Sequence, residues 1–381
     1  MRQILIIILP LLLTAFSSCS EKTAQQDEVC IRMKVPVMDL QQVKLSDIIS
    51  EYEVVKLEFT DKSMMGYIKK IEECGDYIFV LDPLTAKSLM VFDKQGRFIR
   101  RITRSGKGPG EFIYPQDFIL NEKDKTIEVI GNYKLSKYTF EGKYLSTRRN
   151  EFGGTEFIKH DSRYYFAVLG KTPYKIIQAD STGQFQKGYY TRPWTKYMHG
   201  TGYLPLRKVN GELMVKPEMC DTVFAISDDT LQVRRTIDFG EYTTDYSQLE
   251  NMNREERRIF TGFKTNGNKC MVFKYLENAD HVHVQYNVNS KYYHYIYDKK
   301  TDKYVHFDLE HLEDDITLQK DSWYLAGYSP EWIYYVVEPY KYKSSRELVS
   351  LLKQTSWDEA SINTLLEDSN PILLKVKYKR F

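Results

Sequence analysis

Cysteine is scarce in this chain, five in 381 residues. Cys19 lies in a leader-like segment, and the other four, Cys30, Cys74, Cys220 and Cys270, are separated by 44, 146 and 50 residues. These spacings fit no zinc or redox motif, and a chain this long can bury a core without staples. Free, mostly buried thiols are therefore expected, with at most one disulfide whose pairing stays open. An excess of one charge is also lacking: 54 Lys and Arg stand against 52 Asp and Glu. Lys69-Lys70 and Lys299-Lys300 read as solvated turns, so nucleic acid is excluded as a partner on electrostatic grounds. The chain has no Gly-Lys-Ser/Thr phosphate loop and no G-x-S-x-G elbow, which leaves nucleotide binding and triad hydrolysis without a motif. No apolar run reaches the ~20 residues that a membrane-spanning helix requires.

A shorter apolar run does open the chain. Arg2 precedes the stretch from Ile4 to Ala15, and small residues follow at Ser17 and Ser18. Residues 1–18 are the pattern of an export signal. Its "FSSC" ending resembles the lipobox of bacterial lipoproteins, with Phe16 where Leu is usual, and the resemblance implies acylation of Cys19. Ordinary cleavage after Ser17 is the alternative, because Ala15-Phe16-Ser17 is a small-x-small site. Residues 19–28, "CSEKTAQQDE", are polar and aperiodic and read as a tether. The folded domain is expected over residues 29–381.

Between Phe79 and Leu145 the chain says nearly the same thing twice. "FVLDPLTAKSLMVFDKQGRFI" and "IEVIGNYKLSKYTFEGKYL" each carry a strand ending near Phe92 or Tyr138, a glycine four residues on, and another strand. Further markers at Ala179, Ile226 and Tyr297 continue a period of about 45 residues, the signature of propeller blades. The fold class is thus all-β, a six-bladed β-propeller with two short helical insertions, at about 243–262 and 344–367. "EYEVVKLEF" near residue 50 is expected to complete the sixth blade, since closing a ring with a strand from the other end removes its exposed edges. The 30 Tyr and 19 Phe supply bulk for wedge-shaped gaps between twisted sheets.

The bridge "SGKGPGEF" connects the first two repeats. Its glycines permit a sharp turn stiffened by Pro109, and its backbone N–H groups with Lys107 could form an anion nest beside Glu111. Lys107, Glu111, Tyr114, Asp82 and Asp117 are the candidate binding face. Asp82, Glu111, Asp117 and Asp221 are the carboxylates that would gather at the ring's mouth for acid–base work. His281 and His283 alternate along "DHVHVQY" and make a weak metal pair that needs a third ligand, with Asp280, His294 or His306 in reach of sequence. No catalytic residue, cofactor or metal is predicted, although a divalent metal stays open.

Taken together, "FDKQGRFI", "GKGPGEF" and "FEGKYL" resemble NHL repeats and, more closely, the six-bladed propeller lipoproteins of Bacteroidota. "CDTVFAI", "IDFGEY" and "NPILLKVKY" extend the similarity over the mature chain. The resemblance implies an exported, lipid-anchored propeller at the cell envelope, on the outer membrane, and no defined reaction. The expected function is a monomeric binding or scaffold module for a protein, peptide or glycan. The alternative is a lyase or hydrolase acting on a polysaccharide or ester at the central channel, with metal assistance left open.

Overall fold

The computed structural model describes residues 30–168, 172–191, 206–261, 268–316, 324–329, 331–339 and 369–381. Cys19, the tether up to residue 28 and the second expected insertion lie outside them.

Six antiparallel sheets follow one another along the chain as blades of a β-propeller. Blade one spans residues 70–101, blade two 117–149, blade three 154–189, blade four 206–238 and blade five 271–308. Blade six is assembled from Tyr324–Tyr328, Ile333–Val337, Ile372–Tyr378 and, from the other end of the chain, Ile49–Lys56. This last strand runs antiparallel to Ile372–Tyr378, with Leu374 opposite Val54. Ring closure by "EYEVVKLEF" is therefore as the sequence predicts.

A second use of the N-terminal segment was not foreseen. Ile31–Lys34 lies parallel to Thr230–Asp238 as a fifth strand on blade four, and Val43–Lys44 pairs with Leu312–Glu313 just after blade five. The segment thus covers sheet edges on blades four and six and forms a small two-stranded sheet between them, removing open strand edges that would invite pairing with other chains.

Alternating apolar residues on the strands face neighbouring blades. Phe79, Leu81 and Val91 of blade one pack with Phe118, Ile127 and Val129 of blade two, and Leu276 and Ile296 of blade five pack with Tyr335, Leu374 and Tyr378 of blade six. Each such large side chain removed from water contributes roughly 1.5–3 kcal/mol. Cys74 and Cys270 are buried, Cys220 is half-buried and Cys30 is exposed, all as free thiols.

The first expected insertion contains a helix at Arg254–Thr261. Its start is a reciprocal cap: Asn253 Oδ1 accepts the N–H groups of Glu255 and Glu256, and Glu256 Oε2 accepts the N–H of Asn253 at 2.7 Å. This satisfies donors that the first helical turn leaves without partners.

Candidate functional site in the central channel

The first strand of each blade faces the axis, and these six strands enclose a cavity of about 400 Å³. Its wall carries ionisable side chains from successive blades: Lys70, Asp117, Glu156 and Arg207 from blades one to four, with Glu277 on blade five and Gly327 on blade six. Asp117 and Glu156 are each only 2% exposed.

The first two members are tightly committed. Lys70 Nζ lies 2.9 Å from both Asp117 Oδ1 and Glu72 Oε1, and donates to the carbonyl of Phe118 at 2.7 Å. Burial disfavours its ammonium, but the charges of Asp117 and Glu72 outweigh burial and raise its pKa above the ordinary lysine value. The other oxygen of Asp117 accepts the Phe157 N–H at 2.9 Å, which ties blade two to blade three. Lys69 adds a second tie, donating to the carbonyls of Gln116 at 2.7 Å and Thr155 at 3.1 Å.

Glu156 differs from these. Its Oε1 is buried with no hydrogen-bond partner among the described residues. Burial, reinforced by the negative charge of Asp117, pushes its carboxyl up to about 8. On blade five, burial and the nearby Arg207 guanidinium pull the Lys274 ammonium down to about 7. Glu277 is held below the usual carboxylate range, because Arg235 at 3.1 Å and Lys299 at 3.0 Å outweigh its burial.

Strand irregularities set these positions. A register shift falls immediately before Glu156, Lys274 and Gly327 alike, each with one extra residue in the inner strand. Such a bulge re-aims the following side chain. At Gly327 a Cβ would come within 3.0 Å of the Ile71 carbonyl, so glycine is what lets blade six approach blade one and close the ring.

Of the five candidate binding residues, Asp117 alone lines the cavity. Asp82 is fully buried, and its carboxylate accepts five backbone N–H groups, from Gly66, Tyr67, Leu84, Thr85 and Ala86, so it organises its own loop. Glu111 folds back to accept the Gly108 N–H at 3.0 Å, filling the expected anion nest from within. Lys107 and Tyr114 are exposed, and Lys87 stands 5.3 Å over the Tyr114 ring. Gly110 has φ +71, and a Cβ there would lie 2.6 Å from the Tyr144 ring, which explains glycine at that turn of the bridge. Asp221 stands apart from the channel, near Tyr246, and burial raises its carboxyl to about 6.

The histidines of blade five do not converge on a common ligand position. His281 Nε2 lies 2.9 Å from the Lys379 carbonyl, whereas His283 Nε2 lies 3.2 Å from His294 Nδ1. His306 is held between Tyr286 and the Asp39 carbonyl, and Asp280 pairs with Arg380. Among the described residues no three His, Cys, Asp or Glu side chains are grouped to hold a metal ion.

A family model described as a domain of unknown function, DUF4934, matches residues 29–377, and the chain belongs to that family. No curated protein matches it. Among solved structures, a Bacteroides fragilis protein described as an assumed exported protein is similar at 18% identity and a TM-score of 0.72, over 92% of this chain and 100% of that one. A Bacteroides caccae protein of unknown function is similar at 9% identity and a TM-score of 0.39, over 63% of this chain and 81% of that one. BamB from Moraxella catarrhalis matches at 9% identity and a TM-score of 0.39, over 66% of each chain. The first of these likenesses shows the fold.

Proposed function

We propose that this member of the DUF4934 family is an extracytoplasmic binding module, tethered to the outer membrane through acylated Cys19, that engages a protein, peptide or glycan as a monomer. The carrying observation is the central cavity, where ionisable side chains of four successive blades meet in one wall. A rigid ring that buries carboxylates, a lysine and an arginine at its axis bears a desolvation cost that a purely structural channel could avoid with apolar residues. Polar groups converging in a cavity of this size are the usual makings of a ligand site.

The export pattern of residues 1–18 and the "FSSC" ending support the tether. Several acyl chains, at ~0.8 kcal/mol per buried CH₂, hold a protein at a lipid surface. Mass spectrometry of the native protein should find an acylated N-terminal Cys19, and Cys19→Ser should move the protein out of the membrane fraction. For binding, crosslinked capture from intact envelopes should recover a partner with the wild type and lose it when Asp117 and Glu156 are both changed to Ala in a folded ring. Equal capture by both forms would remove the channel from the reading.

A second reading, hydrolysis or lysis of a polysaccharide, is favoured by one observation. Glu156, whose carboxyl burial pushes up to about 8, lies beside Asp117 in the same cavity, and a carboxyl raised toward neutrality is one part of acid–base chemistry. Product release from envelope polysaccharides, abolished by Glu156→Gln, would support it.

A further inference from the structure

We propose that the central channel recognises a primary ammonium group, which docks on Glu156 between blades two and four. This inference rests on the binding-module reading and names the chemistry that the cavity takes.

Three observations carry it. Glu156 lines the cavity and is 2% exposed, and its buried Oε1 has no hydrogen-bond partner among the described residues. A buried acceptor left without a donor destabilises the fold, so a donor arriving with a ligand relieves a penalty already present there. Next, the groups nearest to Glu156 in charge are Asp117, Lys69, Lys70 and Arg207. Lys70 is committed to Asp117 and Glu72, and Lys69 to two backbone carbonyls. Finally, the other acids of the cavity wall are largely spoken for: Glu73 pairs with Lys375, Glu277 with Arg235 and Lys299, and Asp117 and Glu72 share Lys70, whereas Glu156 makes no ion pair among the described residues. At Glu156 a cation gains a charge-assisted hydrogen bond, whereas a neutral hydroxyl gains only an ordinary one. A cavity of about 400 Å³ admits a group the size of an amino acid or a monosaccharide.

The ammonium could belong to an amino sugar, a free amino acid or a polyamine, and separate probes distinguish them. With its carboxyl raised to about 8, Glu156 holds a proton at pH 7, and a docked ammonium expels that proton to solvent. Binding is then coupled to the release of about one proton, and affinity rises up to about tenfold per pH unit from pH 6 to 8 before levelling off.

The test is calorimetry on the folded propeller with glucosamine, lysine and spermidine, each in two buffers of different ionisation heat, with N-acetylglucosamine as the neutral control. At least one amine is expected to bind with about one proton released, the neutral control at least tenfold more weakly. Glu156→Gln should weaken that amine at least tenfold and abolish proton release while keeping the wild-type unfolding midpoint. Because proton release is read on the wild type, the outcome does not depend on the variant folding. The ammonium site is overturned if none of the three amines binds at millimolar concentration, if binding releases no proton, or if the N-acetylated sugar binds equally well. Capture of a neutral glycan or a protein by wild type and Glu156→Gln alike would also overturn it, and would leave the binding-module reading in place.

Discussion

Lys70 Nζ and Asp117 Oδ1 lie 2.9 Å apart across the boundary between blades one and two, with side chains only 14% and 2% exposed. The same carboxylate receives the Phe157 N–H of blade three, so one side chain joins three blades at the axis. Asp117→Ala would leave a buried ammonium with Glu72 as its one carboxylate partner, and the Phe157 N–H without its acceptor. Breaking a buried pair from one side costs up to about 3–5 kcal/mol. Urea unfolding at pH 7 should show a loss of that order or less, and Lys70→Met combined with Asp117→Ala should recover part of it, because the under-compensated charge is then gone.

Ring closure has its own tie. Asn370 is fully buried just before the third strand of blade six, donating to the carbonyls of Glu58 at 2.7 Å and Ser63 at 2.9 Å, and accepting the Met65 N–H at 2.9 Å. It thereby fixes the segment that follows the closing strand Ile49–Lys56. Asn370→Ala takes the partner from two backbone groups, the Ser63 carbonyl and the Met65 N–H, leaves the Glu58 carbonyl with the Ser63 hydroxyl alone, and should lower stability by about 2–4 kcal/mol. Limited proteolysis should then cut first near residues 58–65. Wild-type resistance at that segment would show that the asparagine is not what fastens it.

The repeating strands and the closing strand were legible because each is a local pattern: apolar alternation, a turn glycine, and a spacing that recurs. The helical insertion expected at about 243–262 was legible too, as a polar, strand-poor stretch, and it holds the helix Arg254–Thr261. Of the channel wall, Asp117 alone was legible. Lys70, Glu156 and Arg207 lie on three further strands with no common spacing, and on a strand such as Lys70–Cys74 alternating charge reads as a face turned to solvent. Bulges before Glu156 and Lys274 also shift the face on which they project, and no single-strand pattern reveals a bulge in advance. The glycine bridge misled in the opposite direction, since the Gly108 N–H that it offers is taken by Glu111 of the same loop.

Acid should weaken the contact between blades five and six. His283 and His294 are buried and 3.2 Å apart, with His283 Nδ1 3.0 Å from the Tyr378 hydroxyl. Burial, then the charge of Lys274, brings His294 down to about 3, and burial with His294 and Lys274 holds His283 well below 6.5. The unfolded chain binds these protons from about pH 6.5 downward and the folded chain does not. Their stabilising effect is complete above that value and is lost as pH falls from about 6.5 toward 3, by about 1.4 kcal/mol per pH unit for each proton. Glu156 acts in the opposite sense between about pH 8 and 4.5, because its folded carboxyl binds a proton first. The comparison of wild type with His294→Leu therefore isolates the histidine contribution. Denaturant midpoints should fall less steeply with acid in the variant, and parallel profiles would contradict the assignment.

Lys274 offers the complementary case at alkaline pH. Its ammonium is brought down to about 7 by burial and by Arg207, so near neutrality the fold tolerates a charged group in a place that disfavours it. The unfolded lysine keeps its proton until about pH 10.4. Between about pH 7 and 10.4 the unfolded chain binds the extra proton, and the wild type gains relative stability as pH rises through that window. Below it the penalty is fully expressed. Lys274→Met, which keeps the length of the stem and removes the charge, should stabilise the protein by about 1–4 kcal/mol at pH 7. That advantage should shrink steadily toward pH 10, where the wild-type lysine is already neutral in the fold. A methionine variant that is less stable than wild type at pH 7 would mean that the Lys274 charge supports the ring, and an advantage unchanged between pH 7 and 10 would mean that packing, not ionisation, sets the difference.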